Sequence, residues 1–407
     1  MSFIRHNWFS LLVVLITSSL FIVPLPNNQM VYYLLLVILA GLSIIRSQRV
    51  YIPAIVLLIA CALSIICGNA APLFRSWERL GLFALLFFAF FPVFQSQYFD
   101  RLRSKTFPMM LCVVIFTSIG SFIGYFFGIN YMGRNRDTLN SIDTVGWFGG
   151  LTSQSMTLSP ICAIALTTLV WFLIERAKTK KVKIIVSCAA FASFCCMLLT
   201  ASRGGNIAGI AGVAVVLFLK YKNSIGKILR VGFIVFSLSV ILSPVYMPYA
   251  EKVLTKQRKN ESQGSTFASR ENRWRHRFEE FSEYPVFGYG FAAIDTKNYG
   301  EYMPSTGTIE PGSSWLAILS MTGLAGMASF LALLVPAMKK LYRKVNRKSG
   351  QYALLHLGII AVFMVHFFVE GYVFAAGGGL CVLFWFFFGC ACSYVRNPMP
   401  YFLLDES

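Results

Sequence analysis

Charge is scarce in this 407-residue chain: Asp, Glu, Lys and Arg supply 13% of it, against 57% hydrophobic residues. A soluble globular chain carries about 25% charged residues. A soluble enzyme is thereby excluded, and the chain reads as a polytopic membrane protein. Acid is scarcest, with 17 Asp plus Glu facing 36 Lys plus Arg. No Cys-x-x-Cys pair occurs among the ten cysteines, and all ten fall within or at the ends of apolar runs. They read as small helix-packing residues rather than a metal centre or a disulfide framework. No internal repeat or low-complexity block is evident.

Long apolar runs are abundant instead. They lie near 9–25, 31–45, 51–67, 79–97, 107–128, 151–174, 183–201, 205–220, 228–248, 313–338, 352–370 and 376–395. Some are short for a ~30 Å hydrocarbon core. The expected fold is an all-α polytopic membrane protein of about twelve transmembrane helices. Helices 1–9 fill 1–248, one large outer loop fills 249–312, and helices 10–12 with a short tail fill 313–407, all in one integrated domain. The first run follows MSFIRHNW without a small-x-small cleavage site, and it reads as a retained anchor.

The net charge of +19 invites a nucleic-acid partner, but its distribution argues against one. With the N-terminus inside, the inner connections hold 22 of the 36 basic residues and four acids, while the outer surfaces hold 14 basic and 13 acidic residues. This is the positive-inside bias, so both termini are expected in the cytoplasm.

The outer side carries the unusual residues. In MLLTASRGGNIAGI two apolar runs meet at Arg203, a cation that costs roughly 2.5–3.5 kcal/mol near a bilayer centre. A turn this short calls for Gly204 and Gly205 but not for a guanidinium. The connection at 129–150 adds Arg134 and Arg136, further candidates for binding a phosphate group. In the loop, SRENRWRHRFEEFSEYPVFGYGF has helical spacing up to Glu283-Tyr-Pro285, followed by a tight Gly288-Tyr-Gly290 turn. Arg270, Arg273 and Arg277 fall on one stripe of that helix and Arg275 on another.

Two readings of this set stand open. In one, the loop arginines pair with Glu271, Glu279, Glu280 and Glu283, and Arg203 snorkels to the interface. In the other, Arg203 and the loop arginines converge on a phosphate group at headgroup depth, which a guanidinium fork binds bidentately.

The ordered set of TASRGG between two spans, SRENRW…YPVFGYGF in the outer loop, EPGSSWLAILSMTGLAG and FVEGYVFAAGGGLCVLFWFFFG resembles the O-antigen ligase/polymerase superfamily, as does FGGLTSQSMTLSPICAIA. The resemblance runs over roughly 130–395. It implies a fold like the C-type glycosyltransferases in a bacterial inner membrane, with the large loop and the active site facing the periplasm. It also implies an inverting, metal-independent transfer of glycan from undecaprenyl pyrophosphate to a hydroxyl, with no cofactor. The expected partners are that lipid-linked oligosaccharide, membrane lipids and a chain-length regulator.

The resemblance places pyrophosphate on Arg203 and on Arg270 or Arg273. Ligases of the superfamily carry a His-Asn where this chain has EPGSSW, with Glu310 nearest that position. The departure favours a repeat-unit polymerase of lipopolysaccharide O-antigen or exopolysaccharide over a lipid A ligase. A general base must lie within reach of the acceptor hydroxyl, and the candidates are Glu310, Glu370 and His276. Glu370 is equally a partner that orients an arginine. Tyr289, Trp315 and Tyr372 are candidates for stacking on sugars. A lipid-linked oligosaccharide flippase is the alternative of a different class, but it calls for two related halves, whereas here the charges gather on one face.

Overall fold

A computed structural model describes residues 2–132, 148–224, 268–303, 307–346, 350–398 and 401, with 226–227, 230, 243–244 and 247. Twelve α-helices are bounded within the described residues. They are α1 (Ser2–Ser18), α2 (Gln29–Ile45), α3 (Ile52–Cys67), α4 (Ser76–Phe90), α5 (Gln97–Phe126), α6 (Ser155–Glu175), α7 (Lys180–Leu199), α8 (Arg203–Tyr221), α9 (Ala268–Glu283), α10 (Ser314–Val345), α11 (Gln351–His366) and α12 (Gly379–Arg396).

Among the described residues, six helices are long and apolar enough to cross a membrane: α5, α6, α7, α8, α10 and α12. Residues 7–18, α2, α3 and α11 are shorter apolar helices. Most of the run at 228–248 lies outside the described residues, as do Arg134 and Arg136. The protein is a multi-pass, all-α membrane protein.

Three of the expected runs have different ends, each for a local reason. The run at 79–97 continues through Pro92, but α4 stops at Phe90 and Phe91 is extended, as a residue before proline prefers. The run at 352–370 ends early, because α11 stops at His366 and a non-helical turn carries the chain to α12. The run at 313–338 is broken at Gly323, which lies at φ 62°, ψ −164° inside α10.

That break is filled by the loop. Tyr289 N donates to Ser320 O at 2.7 Å and Gly290 N to Met321 O at 3.2 Å. On the far side of the break, Leu324 N donates to Pro285 O at 2.9 Å and Ala325 N to Val286 O at 3.0 Å. The segment YPVFGYG thus supplies partners that an unbroken helix would find in itself. A Cβ on Gly323 would stand 2.4 Å from Val286 O, and one on Gly288 2.4 Å from Thr322 N. The glycines of GYG and TGLAG meet here, backbone against backbone.

Helix α12 is the hub, apolar on all sides and buried from Leu380 to Ala391, as an all-round hydrophobic helix should be. Trp385 stacks edge-on with Phe83 and Phe87. Its Nε1 donates to Val373 O at 2.8 Å, which fixes the turn between α11 and α12 from below. Two short antiparallel strand pairs complete the fold: β1 (Arg49–Val50) with β2 (Phe94–Gln95), and the hairpin of β3 (Tyr302–Met303) with β4 (Thr308–Ile309).

Candidate functional site

The site begins where α10 docks end-on against the close of α11. A helix start leaves N–H groups without intrahelical partners, and here carbonyls of the other chain segment meet them. Ser314 N donates to Phe367 O at 2.8 Å and to Glu370 O at 2.9 Å. Ser313 Oγ caps α10 and donates to Phe367 O at 2.9 Å. Ser314 Oγ donates to Glu370 O at 2.7 Å and accepts from Tyr372 N at 3.0 Å. A Cβ on Gly371 would lie 2.1 Å from Pro311 Cγ. EPGSSW and VEGY therefore interlock, which sets Glu310 and Glu370 on neighbouring backbone.

Helix α9 lies over this junction. Trp274 Nε1 donates to Gly312 O at 3.3 Å. Gly312 sits at φ 74°, where a Cβ would press on Arg273 at 3.1 Å. From this position Arg270 Nη2 pairs with Glu370 Oε1 at 2.5 Å and Arg273 Nη2 with Glu310 Oε2 at 2.5 Å. Burial pushes the Glu370 carboxyl above its ordinary range, with Arg270 and then Arg273 opposing it. The acids that hold these two arginines come from beyond the helix, not from the local set Glu271, Glu279, Glu280 and Glu283.

Arg277 departs from the expected stripe of three. It is buried and pairs with Glu280 at 2.8 Å, while Glu280 Oε1 accepts from Asp295 N at 2.8 Å. This pair anchors α9 to its own loop. Arg275 is exposed and lies 3.8 Å from Glu279. His276 is half-exposed on α9.

Arg203 is the first residue of α8, after the N-cap Ser202. The expectation that Gly204 and Gly205 serve the turn's geometry is corrected: both lie within the helix, and the left-handed residue is Ala201 at φ 50°. The two glycines permit close packing. A Cβ on Gly204 would stand 2.1 Å from Val369 Cγ2, and one on Gly205 would stand 1.5 Å from Ser159 Oγ. Through Val369, the start of α8 abuts the segment that carries Glu370.

The stacking candidates are placed differently from the expectation. Tyr289 is buried edge-on against Tyr284, and burial pushes its hydroxyl up to about 12. Tyr372 is buried against Phe367. Neither ring presents a face that a sugar could cover in this arrangement. Trp315 is half-buried among Phe330, Phe367 and Phe368, and its Nε1 donates to Met364 O at 3.1 Å.

Sequence reasoning passed over His366. It is buried, with Nδ1 3.1 Å from Tyr372 Oη, and its carbonyl accepts from Glu370 N at 3.1 Å. The signal that could have found it is the four-residue spacing to Glu370 at the end of an apolar run. Arg79 was also passed over. Its Nη2 donates to Gly307 O at 2.6 Å, which steadies the hairpin leading into Glu310.

These pieces assemble two guanidiniums, each held by a carboxylate, beside a third arginine at a helix start. With both carboxylates ionised the set carries one net positive charge, and its guanidinium forks are suited to phosphate oxygens. Among curated proteins, none matches the chain. Residues 188–331 match the model of the family described as O-Antigen ligase, which supports the resemblance to the O-antigen ligase/polymerase superfamily.

Proposed function

We propose that this chain is a repeat-unit polymerase. It would transfer an O-antigen or exopolysaccharide glycan from undecaprenyl pyrophosphate to a sugar hydroxyl on the periplasmic side of the inner membrane, with inversion and without a metal. The observation that carries the reading is the pairing of Arg270 with Glu370 and of Arg273 with Glu310, each at 2.5 Å. Four residues from three separate motifs converge there.

In this reading Arg203, Arg270 and Arg273 receive the pyrophosphate. The carboxylates hold the two loop arginines in place, so little reorganisation is left for the reaction itself. As the negative charge of the leaving group grows, the guanidiniums stabilise it more than they stabilise the substrate, which is the condition for catalysis.

Deleting the gene and sizing the surface glycan tests the reading. A polymerase deletion leaves one-repeat products. A ligase deletion leaves full-length chains that are not attached to lipid A, and the family description favours that alternative. Normal glycan on the surface would overturn both.

A further inference from the structure

We propose that His366 takes the proton of the acceptor hydroxyl; this rests on the glycosyl transfer proposed above. Glu310 and Glu370 are each engaged by a guanidinium at 2.5 Å, so a carboxylate oxygen of each is already committed to an arginine. The imidazole of His366 differs. Its Nδ1 lies 3.1 Å from Tyr372 Oη, whereas Nε2 is buried and, among the described residues, has no hydrogen-bond partner. Leaving a buried polar atom without a partner is unfavourable, and in a native site it marks a place for a ligand group.

The position is right as well. Helices α8 and α11 run antiparallel, since Gly212 meets Val362 while Gly204 meets Val369. His366 lies between those two contacts, beside the first turns of α8 and so at the depth of Arg203. On the other side, the His366 carbonyl accepts from Glu370 N, the residue whose carboxylate holds Arg270, and that guanidinium favours the neutral form of the ring. Nη1 of that guanidinium is a second buried polar atom without a hydrogen-bond partner among the described residues. A proton acceptor and an anion donor therefore flank one turn.

The chemistry balances. With the ring proton on Nδ1 shared with Tyr372 Oη, the Nε2 lone pair is available. The acceptor O–H bond breaks and its proton passes to Nε2. The freed oxygen forms the new bond to the anomeric carbon. The bond from that carbon to the phosphate oxygen breaks, and its electron pair leaves on undecaprenyl pyrophosphate, whose charge the arginines counter. The imidazolium then gives its proton to the released pyrophosphate or to water.

The test uses the full-length protein in proteoliposomes with an undecaprenyl-pyrophosphate-linked oligosaccharide as donor, measuring both turnover and donor binding. His366→Gln should lower kcat by about 10²–10⁴-fold, the range for a lost general base, with KM and donor binding unchanged. His366→Ala should lose turnover and regain part of it when imidazole is supplied. Near-normal turnover in His366→Gln overturns the assignment. So does loss of donor binding together with turnover, which would make the residue structural. Wild-type protein that is inert with this donor would instead overturn the transferase reading beneath it.

Discussion

Arg270 and Glu370, a hundred residues apart in the chain, meet at 2.5 Å with both side chains 19% exposed. One stands on the polar helix α9 and the other in the turn between two apolar helices. The contact ties α9 to the bundle through a partly exposed charge pair.

The pair should reveal itself in a double-mutant cycle. Arg270→Lys and Glu370→Gln are each expected to lower transfer, and the double variant should fall short of the sum by about 0.5–3 kcal/mol, as contacting residues do. Additive losses in reconstituted transfer would mean that the two act independently.

A pH dependence follows from the same carboxyl. Burial raises Glu370 above its ordinary 4.5. An acid raised on folding favours the folded state below its ordinary value, and that contribution is lost as pH climbs through the raised value. Thermal unfolding of the wild type in detergent should therefore lose stability over that interval, whereas Glu370→Gln should show a flatter profile. Parallel profiles would count against the shift.

Arg203→Lys keeps the charge but loses the planar fork. One charge-assisted hydrogen bond is worth about 1.5–3 kcal/mol, so polymer synthesis should fall roughly ten- to a hundredfold while insertion is unaffected. Polymer of normal length would restore snorkelling as the account of this residue.

Neighbouring Gly205 makes a separate claim about packing. Gly205→Ala should lower the unfolding temperature, because the new methyl meets Ser159 Oγ. Adding Ser159→Gly should recover much of the loss. A Gly205→Ala protein as stable as wild type would show that α6 and α8 are not in close contact there.

The arginines of α9 should separate by role. Arg277→Ala removes one partner of a buried pair, at a cost of about 3–5 kcal/mol, and should appear as poor accumulation of folded protein. Arg275→Ala, at an exposed site, should be silent in both accumulation and transfer. Glu310→Gln should reduce transfer by about tenfold, because Glu310 orients Arg273; a loss of ~10²–10⁴ would instead make it the base. Kinetics of these variants decide among the roles.

Much of the frame was legible in the sequence, because apolar runs and loop arginines announce themselves locally. The eleven runs that fall on described residues each overlap a helix, and Arg270 and Arg273 both reach from α9 to acids outside it. What escaped were relations between distant segments. A stripe of three arginines cannot say that Arg277 turns inward to Glu280 while its neighbours find Glu370 and Glu310. Gly204 and Gly205 look like turn residues until Val369 and Ser159 are seen against them. His366 sits in an apolar run, and only the turn after it brings it to Glu370, the partner of Arg270.

The break in α10 has a consequence for how the protein is made. YPVFGYG is synthesised before α10, so it is already available when the broken helix leaves the translocon. Without it, the carbonyls of Ser320 and Met321 and the N–H groups of Leu324 and Ala325 would lie bare in lipid, at several kcal/mol each. Assembly is therefore ordered: the outer segment waits, and the helix closes around it. A chain lacking 284–290 should be cleared by membrane proteases even though every apolar run is intact.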